Sequence, residues 1–429
     1  MAKVLVIGGG WAGIAAAVRA KKYGADVILA EKTDLLLGLG NVGGIMRNNG
    51  RFTAAEENIA LGAGELFEIT DKLSLHKNVD FPGHDHASFY DVVAVEPEVR
   101  RFLKKLGIEI RFMTRITDVA VENGEIVGVK TAAGDMIYAD SFVEATGSAG
   151  PMGNCMKYGN GCSMCILRCP SFGPRVSITE KAGLDDLTAL KADGTRGAFS
   201  GSCKIEKKSL SKKLQRKLEK DGFAVVPLPE DMINKEKLSK KVCRQYALDV
   251  FAENLIIIDT GCAKLMSPYF ELEKLRKIEG FENARFSDPY AGGKGNSIRY
   301  MSVGVRDEYM RACGTDNLFL GGEKSGFFVG HTEAITTGSL SGYNAAAYAY
   351  GRPLLTLPQT LATGDLLRFA NEALSSQNGL DRRFTFAGGE YFERMKAKGL
   401  YLMDPKLIRK RVEEEGLLDV YNRPRTVIK

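Results

Sequence analysis

The stretch KVLVIGGGWAGIAAAVRAKKYGADVILAEK, residues 3–32, decides the fold of this chain. Its pattern predicts an apolar strand, a glycine turn, an alanine-rich helix and a second strand. In the GxGxxG spacing of the turn, Gly8 permits a tight bend, Gly10 lets the backbone approach a pyrophosphate, and Gly13 allows the helix to pack closely on the strand. Glu31 ends the second strand, where an acid is expected to hydrogen-bond ribose hydroxyls. The stretch therefore predicts a dinucleotide-binding site on an α/β fold.

The composition indicates a soluble protein of more than one domain. With 429 residues, 44% apolar and 26% charged, the chain is long enough for two or three domains. No apolar stretch approaches the roughly 20 residues that cross a bilayer, and MAKVLVIGGG enters a strand without the zones of a signal peptide. We therefore expect a cytoplasmic protein without a membrane partner, in which clustered cysteines serve metal or redox chemistry rather than disulfides.

A glycine-rich segment, TDLLLGLGNVGGIMRNNG at residues 33–50, follows the second strand and contains the pair Gly43 and Gly44. A loop so poor in side chains allows a flat ring system or a phosphate to lie against backbone amides. The alternative is an ordinary flexible loop, because glycine often only punctuates a chain. We assign the pair to the cofactor site as a prediction.

Alternating strands with turns at Asn123–Gly124 and Ala133–Gly134 predict a meander over residues 108–147, ending in an apolar strand and the sequence Ala145-Thr146-Gly147. This order resembles the glutathione-reductase-type FAD proteins, in which such a turn passes beside the adenosine half of FAD. The resemblance implies that Thr146 and Gly147 contact FAD. It also implies a discontinuous, Rossmann-like FAD-binding domain of three layers at residues 1–147 and 290–365. An inserted α+β domain is expected at 150–290 and a helical C-terminal segment, a cap or an oligomer contact, at 366–429.

The later segment 317–367 resembles the tRNA-modifying flavoproteins, namely the folate- and FAD-dependent tRNA uridine methyltransferase and the glucose-inhibited division protein A group. The matching positions are Asn317-Leu318-Phe319, Gly326, Gly330, Glu333-Ala334, Gly338, Gly342, Asn344-Ala345-Ala346 and Pro358. The resemblance implies bound FAD, with Gly322, Glu323 and the N-terminus of the following helix near its pyrophosphate and ribityl chain. His331, in the same turn, is either a proton donor to the flavin ring or a structural residue. The Cys-Ser-Asn-Ser turn of the methyltransferase group is missing after the first helix.

Four cysteines lie in NCMKYGNGCSMCILRCP, residues 154–170, directly after the Ala-Thr-Gly turn. Cys162, Cys165 and Cys169, with the proline that follows, have the spacing that ends a bacterial ferredoxin motif, and Cys155 is a candidate fourth ligand. The pattern favours a four-iron iron–sulfur cluster; zinc, or a redox dithiol of Cys162 and Cys165, also satisfies it. The closeness to the predicted FAD site favours a redox role.

Two further features bear on function. Among the widely spaced cysteines, Cys262 follows a predicted buried strand and a glycine turn, which makes it the best candidate thiol outside the cluster. Residues 204–221 carry eight Lys or Arg against three acids, within a chain of net charge +6. Such a segment attracts RNA or an acidic protein, although a solvated helix face has the same composition.

Two enzymatic functions follow from these features, beside a third possibility, a non-enzymatic flavin-bearing scaffold or sensor. The first is an FAD-dependent oxidoreductase that passes electrons between flavin and a cysteine-ligated centre, with a small molecule or a protein as electron donor or acceptor. In that function Cys162, Cys165, Cys262 and His331 are the candidate catalytic residues. The alternative is a folate- and FAD-dependent tRNA uridine-modifying enzyme that uses its basic insert for phosphate contacts.

The cysteine-ligated centre has a direct test. If the four cysteines hold an iron–sulfur cluster, protein purified without oxygen is brown and contains iron and sulfide, with an absorbance band beside the flavin bands. Metal analysis and a visible spectrum measure this. A yellow preparation without iron overturns the cluster.

Overall fold

A computed structural model of the protein describes residues 1–147, 172–191, 194–196, 198–199, 202–239, 244–267, 270–287, 298–299, 301–374 and 379–423. The predicted cluster ligands Cys155, Cys162, Cys165 and Cys169 lie outside these residues. The metal centre therefore stays a prediction from the sequence.

The described residues form strands and α-helices along the whole chain. The strands are β1 (Lys3–Ile7), β2 (Asp26–Ala30), β3 (Ile45–Met46), β4 (Ser74–Phe81), β5 (His84–Tyr90), β6 (Glu109–Arg111), β7 (Ile116–Glu122), β8 (Glu125–Thr131), β9 (Met136–Tyr138), β10 (Ser141–Glu144), β11 (Asp186–Thr188), β12 (Ala198–Phe199), β13 (Cys203–Ile205), β14 (Phe223–Pro227), β15 (Asn254–Asp259), β16 (Ala263–Leu265), β17 (Ile298–Arg299), β18 (Ser302–Gly304) and β19 (Leu318–Leu320). The helices are α1 (Trp11–Tyr23), α2 (Gly40–Gly43), α3 (Gly50–Ala60), α4 (Glu65–Lys72), α5 (Val95–Lys105), α6 (Ile178–Lys181), α7 (Lys212–Asp221), α8 (Glu236–Ser239), α9 (Val250–Glu253), α10 (Leu272–Leu275), α11 (His331–Ala349), α12 (Ala362–Leu374), α13 (Gly389–Ala397) and α14 (Pro405–Glu414). Among the helices in this described part of the chain, none is long and apolar enough to cross a bilayer.

Five parallel strands form the central sheet, in the order β19-β10-β1-β2-β6. Because side chains alternate along a strand, Val4 and Val6 of β1 face one layer and Leu5 and Ile7 face the other. Helices α1 and α11 cover the first face, and the antiparallel meander β7-β8-β9 covers the second. This three-layer arrangement confirms the predicted α/β class with a Rossmann-like parallel sheet.

Helices α1 and α11 approach each other through glycine rather than through side chains. A Cβ on Gly338 would lie 2.1 Å from the carbonyl oxygen of Ala12, and a Cβ on Gly342 would lie 2.1 Å from that of Ala16. Gly338 and Gly342 therefore allow the backbone of α11 to pack directly against that of α1.

The inserted region is built on the antiparallel sheet β13-β16-β15-β14. On one face Ile257 belongs to a cluster with Leu214 and Leu218 of α7. On the other face Ile258 packs in a cluster with Phe89 of β5. The inserted sheet is thus seated directly on the β4–β5 hairpin of the first domain. The domain boundaries near 150, 290 and 365 stay predictions.

The C-terminal segment packs on the first domain. Phe384 forms a bridge beside Phe328, and its carbonyl oxygen accepts a hydrogen bond from the Val329 N–H at 2.9 Å. Just before this segment, at the start of α12, the buried carboxylate of Glu57 accepts the backbone N–H groups of Ala362 at 2.9 Å and Thr363 at 2.8 Å. The segment is therefore part of the protein core, and it reaches the turn that begins α11.

Candidate functional site

The glycine turn between β1 and α1 leaves open space beside one of its three glycines. Gly8 has a φ of +104°, and a Cβ there would lie 2.4 Å from the carbonyl oxygen of Ala145. A Cβ on Gly13 would lie 1.8 Å from the carbonyl oxygen of Gly8, so packing requires glycine at both positions. A Cβ on Gly10, by contrast, would meet no atom within 4 Å. The space in front of Gly10 has room for a ligand group.

Helix α1 begins at this turn without a side-chain cap. Its N-cap residue is Gly10, and its first turn contains no acidic residue. The first intrahelical hydrogen bond runs from the Ile14 N–H to the Gly10 carbonyl at 2.9 Å. The earlier amides lack an intrahelical partner and carry partial positive charge, which makes this terminus suitable for a phosphate group.

Glu31 lies at the carboxyl end of β2, next to the turn. Its two carboxylate oxygens accept the backbone N–H groups of Gly9 at 2.7 Å and Thr33 at 2.8 Å. These contacts fix the carboxylate at the edge of the turn, with the side chain 8% exposed. Each oxygen has a second lone pair, so the group retains the capacity to accept ribose hydroxyls.

Protein side chains fill the space beside Gly43 and Gly44. A Cβ on Gly43 would lie 1.7 Å from Cε1 of His331, and one on Gly44, whose φ is +78°, would lie 2.4 Å from Cγ2 of Thr260. The pair is needed for the close approach of these two side chains. The structure therefore explains this pair by packing, and its contact with a cofactor stays a prediction.

His331 is the first residue of α11 and is half-buried beside Gly43. Its Nδ1 lies 3.2 Å from the hydroxyl of Tyr90, which donates to the Gly40 carbonyl at 2.8 Å. Since the hydroxyl hydrogen is used in that bond, Nδ1–H of His331 is the donor to Tyr90. This contact orients the imidazole ring between α2 and the start of α11.

The Ala-Thr-Gly turn after β10 is tied to the segment that starts at residue 172. Thr146 donates to the buried carboxylate of Glu144 at 2.9 Å, and the Arg175 guanidinium donates to the Thr146 hydroxyl at 3.1 Å. Glu144 also accepts the backbone N–H of Ile178 at 2.9 Å. Arg175 thus positions the turn predicted to pass beside the adenosine half of FAD.

The second glycine turn, after β19, contacts α1. Gly322 has a φ of +66°, its N–H donates to the Thr337 hydroxyl at 2.8 Å, and a Cβ there would lie 2.8 Å from Cβ of Ala12. Glu323 follows and is half-buried. Gly322 and the Gly8–Gly13 turn therefore lie together at the carboxyl end of the sheet.

Lys324, which the sequence reasoning missed, is fully buried behind this turn. Its ammonium group lies 2.5 and 2.6 Å from the carboxylate oxygens of Asp186 and 2.8 Å from the Ser177 hydroxyl. Burial favours an uncharged carboxyl, but the Lys324 ammonium outweighs this and holds the pKa of Asp186 below its usual value. No local pattern in the sequence predicts that Lys324 pairs with Asp186.

Arg51 and Glu333 form a second buried pair that the sequence reasoning missed. The guanidinium Nε lies 3.1 Å from the nearer carboxylate oxygen, and a terminal nitrogen donates to the Val329 carbonyl at 2.8 Å. The carboxylate also accepts the Phe386 N–H at 2.8 Å. The pair joins the first turn of α11, the start of α3 and the C-terminal segment.

His84 is buried in β5 and has structural partners. Its Nδ1 lies 3.0 Å from the Asn48 side-chain amide, and its Nε2 lies 3.0 Å from the Gln245 carbonyl. Burial, with the nearby Arg51 charge, lowers the pKa of His84 to about 3. The ring is therefore neutral near pH 7. Within the described residues no group of three or more His, Cys, Asp or Glu side chains is placed to hold a metal ion.

The described cysteines differ in accessibility. Cys203 is buried in β13, and burial raises its pKa to about 12, which keeps it a thiol near neutral pH. Cys262 is half-buried in the turn between β15 and β16, and its carbonyl accepts the Thr260 N–H at 3.1 Å. This turn places Cys262 next to the contact between Thr260 and Gly44, beside the glycine-rich loop. Cys313 is exposed elsewhere on the chain.

These features fit a dinucleotide of the FAD type. The open space at Gly10, the uncapped start of α1 and the carboxylate of Glu31 match the pyrophosphate and ribose of such a group. The sheet, meander and turns together define a flavoprotein of the Rossmann type. FAD, when bound, supplies transfer of hydride or single electrons.

Comparison with known proteins identifies the family. Residues 3–267 and 253–353 match the family model described as glucose inhibited division protein A, and the chain belongs to that family. The structure is similar to GidA of Aquifex aeolicus in crystal form II, with 15% identity, a TM-score of 0.64, and 96% of this chain and 76% of that chain covered. Crystal form I has 15% identity, a TM-score of 0.58 and coverage of 96% and 78%. A comparison with curated proteins yields no match.

The family match confirms the resemblance seen in residues 317–367 and the expectation of FAD. The protein is an FAD-dependent enzyme with a Rossmann-type FAD-binding fold. The catalytic role of individual residues stays a prediction at this point.

Gly10→Ala tests the cofactor site. Gly10 has a φ of −73°, which alanine adopts without strain, and the new methyl group meets no protein atom. We expect the apo-protein to keep its melting temperature while its affinity for FAD falls at least about tenfold, or about 1.4 kcal/mol. Fluorescence titration of apo-protein with FAD measures this.

Gly64→Ala is the matched control. Gly64 lies at the start of α4 with a φ of −83°, which alanine also adopts, and the atom nearest to an added Cβ is Cγ1 of Ile59 at 3.3 Å. That variant keeps full affinity for FAD. Equal affinity of Gly10→Ala and the unchanged protein would contradict the placement of the cofactor.

Proposed function

We propose that the protein is an FAD-dependent enzyme that modifies tRNA. The observation that carries the proposal is the family match, which includes the Gly8–Gly13 turn, the inserted region and the whole of α11. The resemblance of residues 317–367 to the tRNA-modifying flavoproteins supports it, because that segment contains the turn at Gly322 and His331 at the start of α11. By the same resemblance the substrate nucleoside is a uridine and folate is the carbon donor.

The electron-transfer function with an iron–sulfur centre has less support. The family match gives no support for an iron–sulfur cluster, and the four candidate ligands lie outside the described residues. It stays a prediction from cysteine spacing alone, and iron analysis decides it.

A row of cations on α7 supports RNA as the substrate. Leu214 and Leu218 bury one side of this helix. The opposite side presents exposed cations at Lys212, Lys213, Arg216, Lys217 and Lys220. Lys213 and Lys217 have acidic neighbours at 3.6 and 3.2 Å, in exposed pairs that contribute little. The row therefore has positive charge available for phosphate contacts.

The proposed cofactor contacts follow the geometry of the turns. Gly10 and the start of α1 bind the pyrophosphate, and Glu31 binds ribose hydroxyls. His331 lies at the start of α11, where it holds or donates a proton near the flavin ring. The complete proposed set is Gly8, Gly10, Gly13, Glu31, Gly43, Gly44, Thr146, Gly147, Gly322 and Glu323.

Cys262 is the proposed catalytic thiol among the described cysteines. It is half-buried rather than sealed in the core, and its turn contacts the glycine-rich loop at Gly44. Cys203, by comparison, is buried with a raised pKa. A thiol at the loop is accessible to a substrate placed against the flavin site.

Reversal of charge on α7 tests RNA binding. We expect the triple variant Lys213→Glu, Arg216→Glu, Lys220→Glu to bind bulk tRNA more weakly at low salt. Its plot of log affinity against log salt should be shallower by about two to three units, because about three phosphate contacts are lost. Gel retardation or filter binding at several salt concentrations measures both.

The matched control reverses three exposed cations of α14, Lys406→Glu, Arg409→Glu and Lys410→Glu, and keeps the original salt slope. If both triple variants behave alike, α7 is only a solvated face. If the unchanged protein does not retard tRNA at low salt, tRNA is not the substrate.

Cys262→Ser tests the thiol. We expect the rate of tRNA modification to fall more than about 100-fold with tRNA affinity unchanged, because a serine hydroxyl is a weak nucleophile without an adjacent base. Mass spectrometry of tRNA nucleosides over time measures the rate. Cys313→Ser, an exposed site, is the control and keeps full activity; a Cys262→Ser enzyme of normal rate removes this residue from catalysis.

A further inference from the structure

Two lysines of the inserted sheet reach the glycine-rich loop. Lys204 on β13 and Lys264 on β16 are directly opposed in the antiparallel ladder. The Lys204 ammonium donates to the Asn41 carbonyl at 2.6 Å, and the Lys264 ammonium donates to the Gly43 carbonyl. Both acceptors belong to α2, the single turn of helix in that loop.

This placement is unusual for a β-ladder. Like charges directly opposite each other in adjacent strands are destabilising, and Lys264 is in addition only 7% exposed. Charge-assisted hydrogen bonds to backbone carbonyls offset such a cost, because they are stronger than bonds between neutral groups. The two lysines therefore stabilise the position of α2, although their like charges destabilise the pairing of β13 with β16.

The same loop is held from its other side by the first domain. The Tyr90 hydroxyl donates to the Gly40 carbonyl at 2.8 Å, and the His331 ring lies against Gly43. Just before α2, the Leu37 N–H donates to the Gly9 carbonyl at 2.7 Å in the dinucleotide turn. The loop is thus a mechanical link between the inserted sheet and the FAD turns.

A second contact of the inserted region lies beside the lysines. Thr260 packs on Gly44, and its carbonyl accepts the Val92 N–H at 3.2 Å. The buried carboxylate of Asp259 binds Lys207 at 2.7 Å and lies 3.1 Å from the His76 ring of β4. The turn that leads into Lys264 is therefore fixed to the first domain, and this fixes the position of Lys264 relative to the loop.

We propose that Lys204 and Lys264 are positioning residues for FAD, and that through them FAD binding and docking of the inserted sheet stabilise each other. The inference rests on the cofactor placement of the proposed function. The lysines order the glycine-rich loop before FAD binds, so that less conformational freedom is lost on binding. Coupling between two binding events is reciprocal, so FAD in turn tightens the contact of β13 and β16 with the loop.

Reconstitution of apo-protein with FAD tests the inference. The double variant Lys204→Met, Lys264→Met is compared with Lys208→Met, an exposed lysine of the same region. We expect the double variant to bind FAD at least tenfold more weakly, which corresponds to about 1.4 kcal/mol. The Lys208 variant should bind FAD as the unchanged protein does. A variant with Lys204→Met and Lys264→Arg should bind FAD more tightly than the double methionine variant, because arginine restores a charged donor at position 264.

Hydrogen exchange supplies the readout that a purely structural role would not move. In the unchanged protein FAD should slow exchange both in residues 38–46 and in β13 and β16; in the double variant FAD should no longer slow exchange in the two strands. If the double variant does not fold, Lys204→Met alone, with its half-buried side chain, is measured in the same way.

The outcomes separate this inference from the proposed function. Unchanged FAD affinity and unchanged FAD-dependent exchange in the lysine variants overturn the positioning role and leave the flavoenzyme intact. Failure of the unchanged protein to bind FAD overturns both.

Discussion

Helix α1 makes backbone contacts on two sides, and the rest of the site depends on this constraint. On one side Gly13 lies against the Gly8 carbonyl in the turn after β1, and on the other Gly338 lies against the Ala12 carbonyl. Helix α11 can approach α1 this closely only without a Cβ at its contact positions. The approach brings the starts of both helices to the carboxyl end of the parallel sheet, where ligands bind in folds of this type.

Buried charge then connects segments that are distant in the chain. Arg51 pairs with Glu333 at the start of α11, and Lys324 pairs with Asp186 behind the turn after β19. Removal of one partner from such a pair costs about 3 to 5 kcal/mol, because the other charge stays buried without compensation. These pairs fix the positions of the inserted and C-terminal segments relative to the cofactor turns.

The sequence was informative where a structural requirement is local. GxGxxG after an apolar run, followed by an acid, correctly predicted the first βαβ unit with Glu31 at the end of β2. The contact of Glu31 with ribose stays a prediction. The pair Gly43 and Gly44 shows the limit, because the sequence marks the missing side chains without showing what fills the space. In the folded chain His331 and Thr260 fill it. His84 stands among polar residues in PGHDHASF, a sequence that does not reveal that the fold buries it against Asn48 and the Gln245 carbonyl.

By itself, the sequence determined the α/β class, the dinucleotide turn and the likeness to the tRNA-modifying flavoproteins, since each depends on residues close together in the chain. Only the tertiary structure decided which distant residues meet: Arg51 with Glu333, Lys324 with Asp186, and Lys204 and Lys264 with the loop at Gly43. A charged residue has the same appearance in a sequence whether it is solvated or buried. Its partner is chosen by packing, which acts between elements and not along the chain.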